Sequence, residues 1–181
     1  MALIHHVALL RGVNVGGHGK APMADLRMML ADLGFEDPRS LLQSGNLIFR
    51  SEATGDALET LLEREAKARL GLSIDVLVRT AAEWAKIVAA NPHAAMAKDD
   101  PGHLLVMALK AKPDVAGLKE LRAWIPGRET IEAVGHELYL TYPAGVGTSK
   151  LTGAVIERRL KTRGTARNWN TVTKLAALLA D

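Results

Sequence analysis

The stretch Leu41-Leu-Gln-Ser-Gly-Asn-Leu-Ile-Phe49 has two apolar runs on either side of a short polar connection. Ser44-Gly45 within that connection suits a tight turn, because glycine adopts the positive backbone φ that such turns use. The apolar runs suit β-strands. The stretch therefore predicts a β-hairpin, with strands over residues 39–43 and 46–51.

Helices and strands are predicted on both sides of this hairpin. Pro22 suits the first turn of a helix and Gly34 suits its end, and apolar residues recur between them at helical spacing. The predicted elements of the first half are a strand at 3–10, a helix at 22–33, the hairpin, a helix at 55–70 and a strand at 73–79. Their order is β-α-β-β-α-β.

The same order returns in the second half. Its predicted elements are strands at 103–110, 130–134 and 137–142, helices at 114–123 and 149–162, a short extended piece at 165–167, and a last helix at 170–180. We expect an α+β fold, a tandem pair of ferredoxin-like (βαββαβ) units with antiparallel sheets and an extra C-terminal helix. The expected domains are 1–91, which includes a bridging helix, and 103–181, joined by a linker rich in proline and charge at 92–102.

Composition excludes several classes of protein. The chain has 181 residues, of which 48% are hydrophobic and 24% are charged, as in ordinary globular proteins. It has no cysteine, which excludes disulfides and thiolate metal sites and predicts a cytoplasmic location. The apolar start, residues 3–10, is too short to span a membrane and lacks a basic leader. Because the six histidines lack zinc-ligand spacing, we expect no metal site. We also expect no cofactor and, since the apolar start is so short, no membrane association.

A long glycine-rich run follows the first strand. Arg11-Gly-Val-Asn-Val-Gly-Gly-His-Gly-Lys20 contains four glycines, whereas the corresponding join in the second half needs only residues 111–113. Such joins usually take about two to six residues. Arg11 and Lys20 place positive charge at both ends, which predicts an anionic ligand. The run matches neither a Walker A nor a dinucleotide motif, so a flexible or structural loop is an equal alternative.

A second candidate lies near the C-terminal end. Arg167 can bind a phosphate or carboxylate, Asn168 or Asn170 can cap the following helix, and Trp169 can stack on a base. The alternative is ordinary helix capping with the indole in the core, which is favoured for any one of these residues taken alone. Residues 150–181 also carry seven Lys or Arg against two acidic residues, an excess that attracts polyanions or forms a solvated face.

Two further polar segments accompany these motifs. Gln43-Ser-Gly-Asn46 is accounted for locally by turn chemistry. Thr148-Ser149-Lys150 is predicted to open a helix, with Thr148 or Ser149 as its cap and Lys150 toward a ligand or solvent.

The combination of Ala8-Leu-Leu-Arg-Gly-Val-Asn-Val-Gly-Gly17, Gln43-Ser-Gly-Asn46 and Thr165-Ala-Arg-Asn-Trp-Asn-Thr171 resembles a bacterial family, domain of unknown function 1697. The resemblance covers nearly the whole chain. It implies an α+β architecture with two ferredoxin-like parts and no established activity. Thr148-Ser149-Lys150-Leu151 is similar to the family's Ser/Lys segment, whereas Ala166 stands where many relatives have a second threonine.

Our leading hypothesis is that the glycine loop, the hairpin turn and the Arg167 segment form one cleft for an anionic ligand, which is a nucleotide, a phosphorylated metabolite or a nucleic acid. The residues predicted to contact this ligand are Arg11, Gly12, Asn14, Gly16, Gly17, Lys20, Gln43, Ser44, Asn46, Ser149, Lys150, Arg167, Asn168, Trp169 and Asn170.

Two alternatives stay open. The protein is an enzyme acting on a phosphorylated metabolite or nucleotide, with His18 or Lys20 as acid, base or charge stabiliser. In the second alternative the motifs only lock the two halves together, and the chain is a structural or interaction protein that forms a homodimer and has no small ligand.

Overall fold

The computed structural model describes residues 2–13 and 20–181. They form two compact units. The first unit runs to Lys86 and also includes Leu175–Asp181 near the end of the chain, and the second comprises Ile87–Lys174. The chain therefore leaves the first unit, completes the second, and returns to the first.

The first unit is a four-stranded antiparallel sheet with two helices. Its elements are β1 (Ile4–Arg11), α1 (Met23–Asp32), β2 (Glu36–Leu41), β3 (Asn46–Ser51), α2 (Gly55–Leu70) and β4 (Asp75–Thr80), followed by α3 (Ala81–Ala89). The strands lie in the order β2-β3-β1-β4. This order, with β1 between β3 and β4, is that of a ferredoxin-like unit.

The core of this unit lies between the sheet and its helices. Alternate residues of β1, such as Ala8 and Leu10, share one cluster with Phe49 of β3 and with Leu26 and Leu30 of α1. The exposed fraction of each of these five residues is at most 2%. The period of two along the strand and of three to four along the helix explains why these positions meet.

The end of the chain contributes hydrogen-bond acceptors to the first unit. The carbonyl oxygen of Leu179 lies 3.1 Å from Nδ1 of His5 on β1. Nη2 of Arg39 on β2 donates to the carbonyl oxygen of Leu178 at 3.0 Å. The compact units thus divide the chain differently from the predicted segments, because residues beyond 174 group with the first unit.

The edge strand β4 receives two carboxylates from α2. Glu59 accepts a hydrogen bond from the backbone N–H of Val78, and Glu63 accepts one from that of Val76, each at 2.8 Å. The two glutamates are four residues apart, so they project from the same face of the helix. They satisfy backbone donors that an edge strand otherwise presents to solvent or to another strand.

The second unit repeats this arrangement. Its elements are α4 (Ala94–Asp99), a 3-10 turn (Pro101–His103), β5 (Leu104–Leu109), α5 (Val115–Trp124), β6 (Thr130–Val134), β7 (Glu137–Thr141), α6 (Gly153–Leu160) and β8 (Gly164–Asn168), before α7 (Trp169–Ala180). The strands lie in the order β6-β7-β5-β8, all antiparallel. The predicted tandem of ferredoxin-like units with an additional C-terminal helix is confirmed.

A second core joins this sheet to α5 and α6. Met107 and Leu109 of β5 are buried with Leu121 of α5. At its margin, the guanidinium carbon of Arg159 lies 4.5 Å from the centre of the Trp124 ring. This cation–π contact explains how a charged residue occupies the apolar side of α6.

Two element boundaries differ from prediction for local reasons. β2 begins at Glu36, three residues earlier than expected, because a bulge between Glu36 and Arg39 accommodates the positive φ of Asp37 and the proline after it. The predicted linker also contains α4 and the 3-10 turn. None of the described helices combines the length and apolar character needed to cross a membrane.

Candidate functional site

The hairpin turn packs directly against the start of the glycine loop. The backbone N–H of Leu10 donates to the carbonyl oxygen of Gly45 at 2.8 Å. A Cβ placed on Gly45 would lie 2.7 Å from Cγ2 of Val13 and 2.8 Å from Cβ of Leu10, and Gly45 has a φ of +87°. Only glycine satisfies both the backbone angle and this approach. The structure therefore brings together two of the predicted motifs.

Asn46 fixes the shape of the turn. Its side chain is fully buried. Its Nδ2 donates to the carbonyl oxygen of Leu41 at 2.8 Å and to Oγ of Ser44 at 3.3 Å. These bonds leave Gln43 exposed at the tip and Ser44 half-buried. Asn46 thus acts in shaping the turn, while Gln43 is the polar side chain of this segment that faces solvent.

Arg11 is fixed at the end of β1 by an acidic partner. Its Nη1 lies 3.5 Å from Oδ2 of Asp75, the residue opposite it on β4. The Arg11 side chain is 36% exposed and that of Asp75 is 13% exposed. This ion pair orients the guanidinium beside the loop and offsets part of its charge. Gly12, which follows, has a φ of +75° and turns the chain away from the strand.

The middle of the predicted loop site is not among the described residues. Asn14, Gly16, Gly17 and His18 all fall there. Beyond it, Lys20 is exposed. The described parts of the site are thus its two cationic ends and the turn that contacts its beginning.

Arg167 lies in the second unit, on the edge strand β8. It is 8% exposed. Its Nη1 donates to Oγ1 of Thr165 at 2.7 Å and to the carbonyl oxygen of Ala166 at 2.8 Å. Burial lowers the pKa of the Arg167 guanidinium to about 10, because an apolar environment disfavours the charged form. The guanidinium of Arg167 thus contacts groups of its own strand, β8.

The residues after Arg167 begin helix α7. Oδ1 of Asn168 accepts a hydrogen bond from the backbone N–H of Thr171 at 3.0 Å, which is the geometry of a helix N-cap. Trp169 is buried, whereas Asn170 is exposed. Asn168 and Trp169 thus have roles in the fold of the second unit, as helix cap and buried side chain.

Comparison with known proteins places the chain in a family. The family model described as "Protein of unknown function (DUF1697)" matches residues 3–139. The protein belongs to this family. No curated protein matches the chain. A solved structure, described as that of conserved bacterial protein SP0830 from Streptococcus pneumoniae, is similar over 98% of this chain and 99% of that one. The TM-score is 0.78 at 22% sequence identity, which shows a shared fold.

The Ser149 segment of this DUF1697 protein makes hydrogen bonds within the second unit. Oγ of Ser149 donates to Oε1 of Glu129 at 2.6 Å and accepts from the backbone N–H of Leu151 at 3.0 Å. The hydrogen bond from Ser149 lowers the pKa of the Glu129 carboxyl. Lys150 is exposed.

Helix α6 begins later than expected. Its first residue is Gly153, and Oγ1 of Thr152 accepts from the backbone N–H of Val155 at 3.3 Å. The prediction that Thr148 or Ser149 caps this helix is therefore wrong. The physical reason is that Ser149 is already engaged by a neighbouring carboxylate and its own turn, so capping passes to the next available hydroxyl.

Several ionisable groups that sequence patterns did not single out are buried. His6 is fully buried and its ring stacks on Phe49, with centroids 5.5 Å apart. Burial lowers the pKa of His6, because the charged imidazolium is disfavoured there. The apolar residues that follow His6 along β1 are the sequence feature that could have indicated its burial.

The two tyrosines are also buried in the second unit. The hydroxyl of Tyr139 donates to the carbonyl oxygen of Ile87 at 2.5 Å, and that of Tyr142 donates to Leu151 at 2.9 Å. Burial raises the pKa of each phenol to about 12. Among the described residues, no group of three or more His, Cys, Asp or Glu is placed to hold a metal ion.

Proposed function

We propose that this protein binds an anionic ligand at the surface formed by the glycine loop and the hairpin turn of the first unit. The ligand is a nucleotide, a phosphorylated metabolite or a nucleic acid. The observation that carries the proposal is the packing of Gly45 on Leu10 and Val13, which places the turn against the start of the loop. The loop is longer than the join between a strand and a helix requires, and the hairpin turn packs against its start. Ligand binding explains this combination better than a role as a connecting segment.

Each part of this surface has a chemical role in the proposal. Arg11 supplies positive charge from a fixed position beside Asp75, and the exposed Lys20 supplies it from the other end of the loop. Gln43 and Ser44 offer hydrogen bonds to the ligand's polar groups. Backbone amides of the glycine-rich run, which contains Asn14, Gly16 and Gly17, would complete the contacts with a phosphate group.

We also propose roles for the polar segments of the second unit. Arg167 has the charge, and Asn170 the exposure, to contact an anion, while Asn168 and Trp169 support them as cap and packed side chain. Ser149 and Lys150 belong to the same proposal. That these residues serve the same ligand as the loop is a separate prediction. It is tested by asking whether variants of the two segments weaken binding of one and the same probe.

We infer a cytoplasmic location from the absence of cysteine. In that compartment nucleotides and phosphorylated metabolites are abundant.

A thermal-shift screen tests the proposal. The probes are nucleoside triphosphates, sugar phosphates, inorganic phosphate and a single-stranded oligonucleotide, each at low and high salt. A ligand present at about 100 times its Kd stabilises the folded state by about 2.7 kcal/mol. For a chain of this size we expect a rise in Tm of about 5 to 10 °C. If none of the probes raises the Tm, the proposal is contradicted.

A matched pair of variants assigns the site. Arg11→Gln removes the charge beside the loop, whereas Arg50→Gln removes an arginine of the same sheet whose Nη2 lies 3.1 Å from Oε2 of Glu36. Both arginines belong to ion pairs between neighbouring strands of the same sheet, Arg11 with Asp75 and Arg50 with Glu36. We expect Arg11→Gln to reduce the ligand-induced shift and Arg50→Gln to leave it unchanged. Equal effects of the two would refute the placement of the site.

A further inference from the structure

A second cationic surface lies in the second unit, where α6 turns into β8. Here a shallow depression of about 400 Å³ opens to solvent, and we refer to it as the α6–β8 surface. Three cationic side chains line it, those of Arg158, Lys161 and Arg163, and all three residues are exposed. The other lining residues are Ala154, Glu157 and Thr162.

The turn that carries this surface is firmly built. Lys161 ends α6 in the left-handed conformation, with a φ of 55°. The backbone N–H of Thr162 donates to the carbonyl oxygen of Glu157 at 3.2 Å. These contacts give the cationic side chains a fixed base.

The segment after β5 is attached to the same turn. The backbone N–H of Ala111 donates to Oγ1 of Thr162 at 3.0 Å. The backbone N–H of Lys110 donates to the carbonyl oxygen of Arg163 at 2.8 Å. Lys110 and the exposed Lys112 therefore extend the positive charge beyond the depression.

Two cations of this surface, Arg158 and Lys161, have no carboxylate partner within the described residues. Glu157 is the one acidic residue of the lining, and its Oε1 accepts from the backbone N–H of Gly164 at 3.3 Å. Within residues 20–181, no carboxylate lies within 4.0 Å of the charged groups of Arg158 or Lys161. Cations at the end of a helix stabilise its dipole, but that does not account for Lys110 and Lys112, which lie outside α6.

We propose that the α6–β8 surface binds the sugar-phosphate backbone of a nucleic acid strand without regard to its sequence. A shallow, open depression suits an extended polyanion better than a small enclosed ligand. The lining has no aromatic side chain on which a base could stack, so recognition is through phosphates. Among the described lining residues there is also no apolar side chain larger than alanine, which disfavours insertion into a lipid surface.

This inference does not depend on the proposed function. The α6–β8 surface belongs to the second unit and shares no residue with the surface around Arg11 and the hairpin turn. Failure of either proposal leaves the other standing.

Fluorescence anisotropy tests the inference with a labelled single strand of about 20 nucleotides and mixed sequence. Each phosphate contact contributes about −0.7 to the slope of log K against log salt for single strands. Three contacts predict that affinity falls about 20-fold between about 50 and about 200 mM salt. We expect the triple variant Arg158→Gln, Lys161→Gln, Arg163→Gln to bind at least about tenfold more weakly at low salt and to flatten the slope by about 2.

A control with the same change in net charge separates this surface from general attraction. The triple variant Lys67→Gln, Lys86→Gln, Lys98→Gln removes three exposed lysines from α2, α3 and α4. We expect it to bind the strand as the unchanged protein does. The inference is overturned if the two triple variants weaken binding equally, or if the unchanged protein does not bind the strand.

A sedimentation experiment with lipid vesicles tests whether the α6–β8 surface binds a membrane instead of a nucleic acid. The unchanged protein is sedimented with vesicles of phosphatidylcholine and phosphatidylserine in equal amounts, at the same salt concentrations. We expect binding to the vesicles to be weaker than to the oligonucleotide. Stronger binding to the vesicles, lost in the α6–β8 triple variant, would overturn the assignment to nucleic acid.

Discussion

Replacement of Gly45 by alanine tests the contact between the hairpin turn and the glycine loop. The new Cβ would lie 2.7 Å from Cγ2 of Val13 and 2.8 Å from Cβ of Leu10, distances at which the neighbours must move. Both of those residues are buried, so there is little room for them to do so. The substitution also places an L-residue at a φ of +87°.

The expected cost has two parts. A left-handed conformation costs an L-residue about 1 to 2 kcal/mol relative to glycine. Overpacking of a close-packed region costs about 1 to 3 kcal/mol more. We therefore expect Gly45→Ala to lower the free energy of unfolding by about 2 to 5 kcal/mol, adding the two ranges.

The second unit supplies a matched control. Gly135 occupies the corresponding hairpin turn with a φ of +61°, and the nearest atom to a Cβ placed there is Oε2 of Glu137 at 3.9 Å. Gly135→Ala should therefore show the backbone cost alone, about 1 to 2 kcal/mol. The excess for Gly45, about 1 to 3 kcal/mol, measures the contact with the loop.

Urea unfolding followed by far-UV circular dichroism measures both variants against the unchanged protein. If the proposed function is correct, Gly45→Ala also weakens binding of the active probe, because the loop must shift. Equal losses of stability at the two glycines would refute the reasoning, since the turn and the loop would then separate without cost.

Further outcomes follow from the surroundings of Glu59, Glu65, His6 and the two tyrosines. Glu59→Ala removes the acceptor of the Val78 N–H and should cost about 1.5 to 3 kcal/mol in urea unfolding. Glu65→Ala breaks only exposed ion pairs with arginine and should cost less than about 1 kcal/mol. Because the pKa of His6 is lowered in the folded state, the unfolded state binds more protons below about pH 6.5, and stability should fall there as pH falls. His6→Phe should remove that part of the pH dependence. With the pKa of both tyrosines raised to about 12, absorbance at 295 nm should not rise near pH 10 in the folded protein.

Each of these outcomes has a clear contrary result. Equal losses at Glu59 and Glu65 would show that the bond to β4 adds nothing to stability. An unchanged pH profile in His6→Phe would assign the acid sensitivity to other groups. Phenolate absorbance near pH 10, with far-UV circular dichroism unchanged, would show that a tyrosine is accessible in the folded protein.

The order of elements was predictable because it rests on patterns within single segments. Leu26 and Leu30 recur at helical spacing, and Gly34 and Gly135 mark ends and turns, so helices and hairpins followed from neighbouring residues. The start of β2 was not predictable in the same way. Its residues 36–41 lack an apolar alternation, and their pairing is set by β3 across the sheet.

Contacts of the candidate site were partly predictable. The glycine at position 45 and the charge at Arg11 stand out in the sequence, and the structure shows what surrounds each. Asp75 could not be assigned to Arg11, because that pairing depends on the register between β1 and β4. The prediction of the residue that caps α6 failed for a related reason, because Ser149 bonds to Glu129, which is twenty residues away in the sequence.

The return of the chain to the first unit has a consequence for protein synthesis. The carbonyl groups that accept from His5 and Arg39 belong to Leu179 and Leu178. During translation, all of the second unit leaves the ribosome before these acceptors are available. The second unit can therefore fold as a continuous segment, whereas the first unit acquires its last contacts only when the second is already complete.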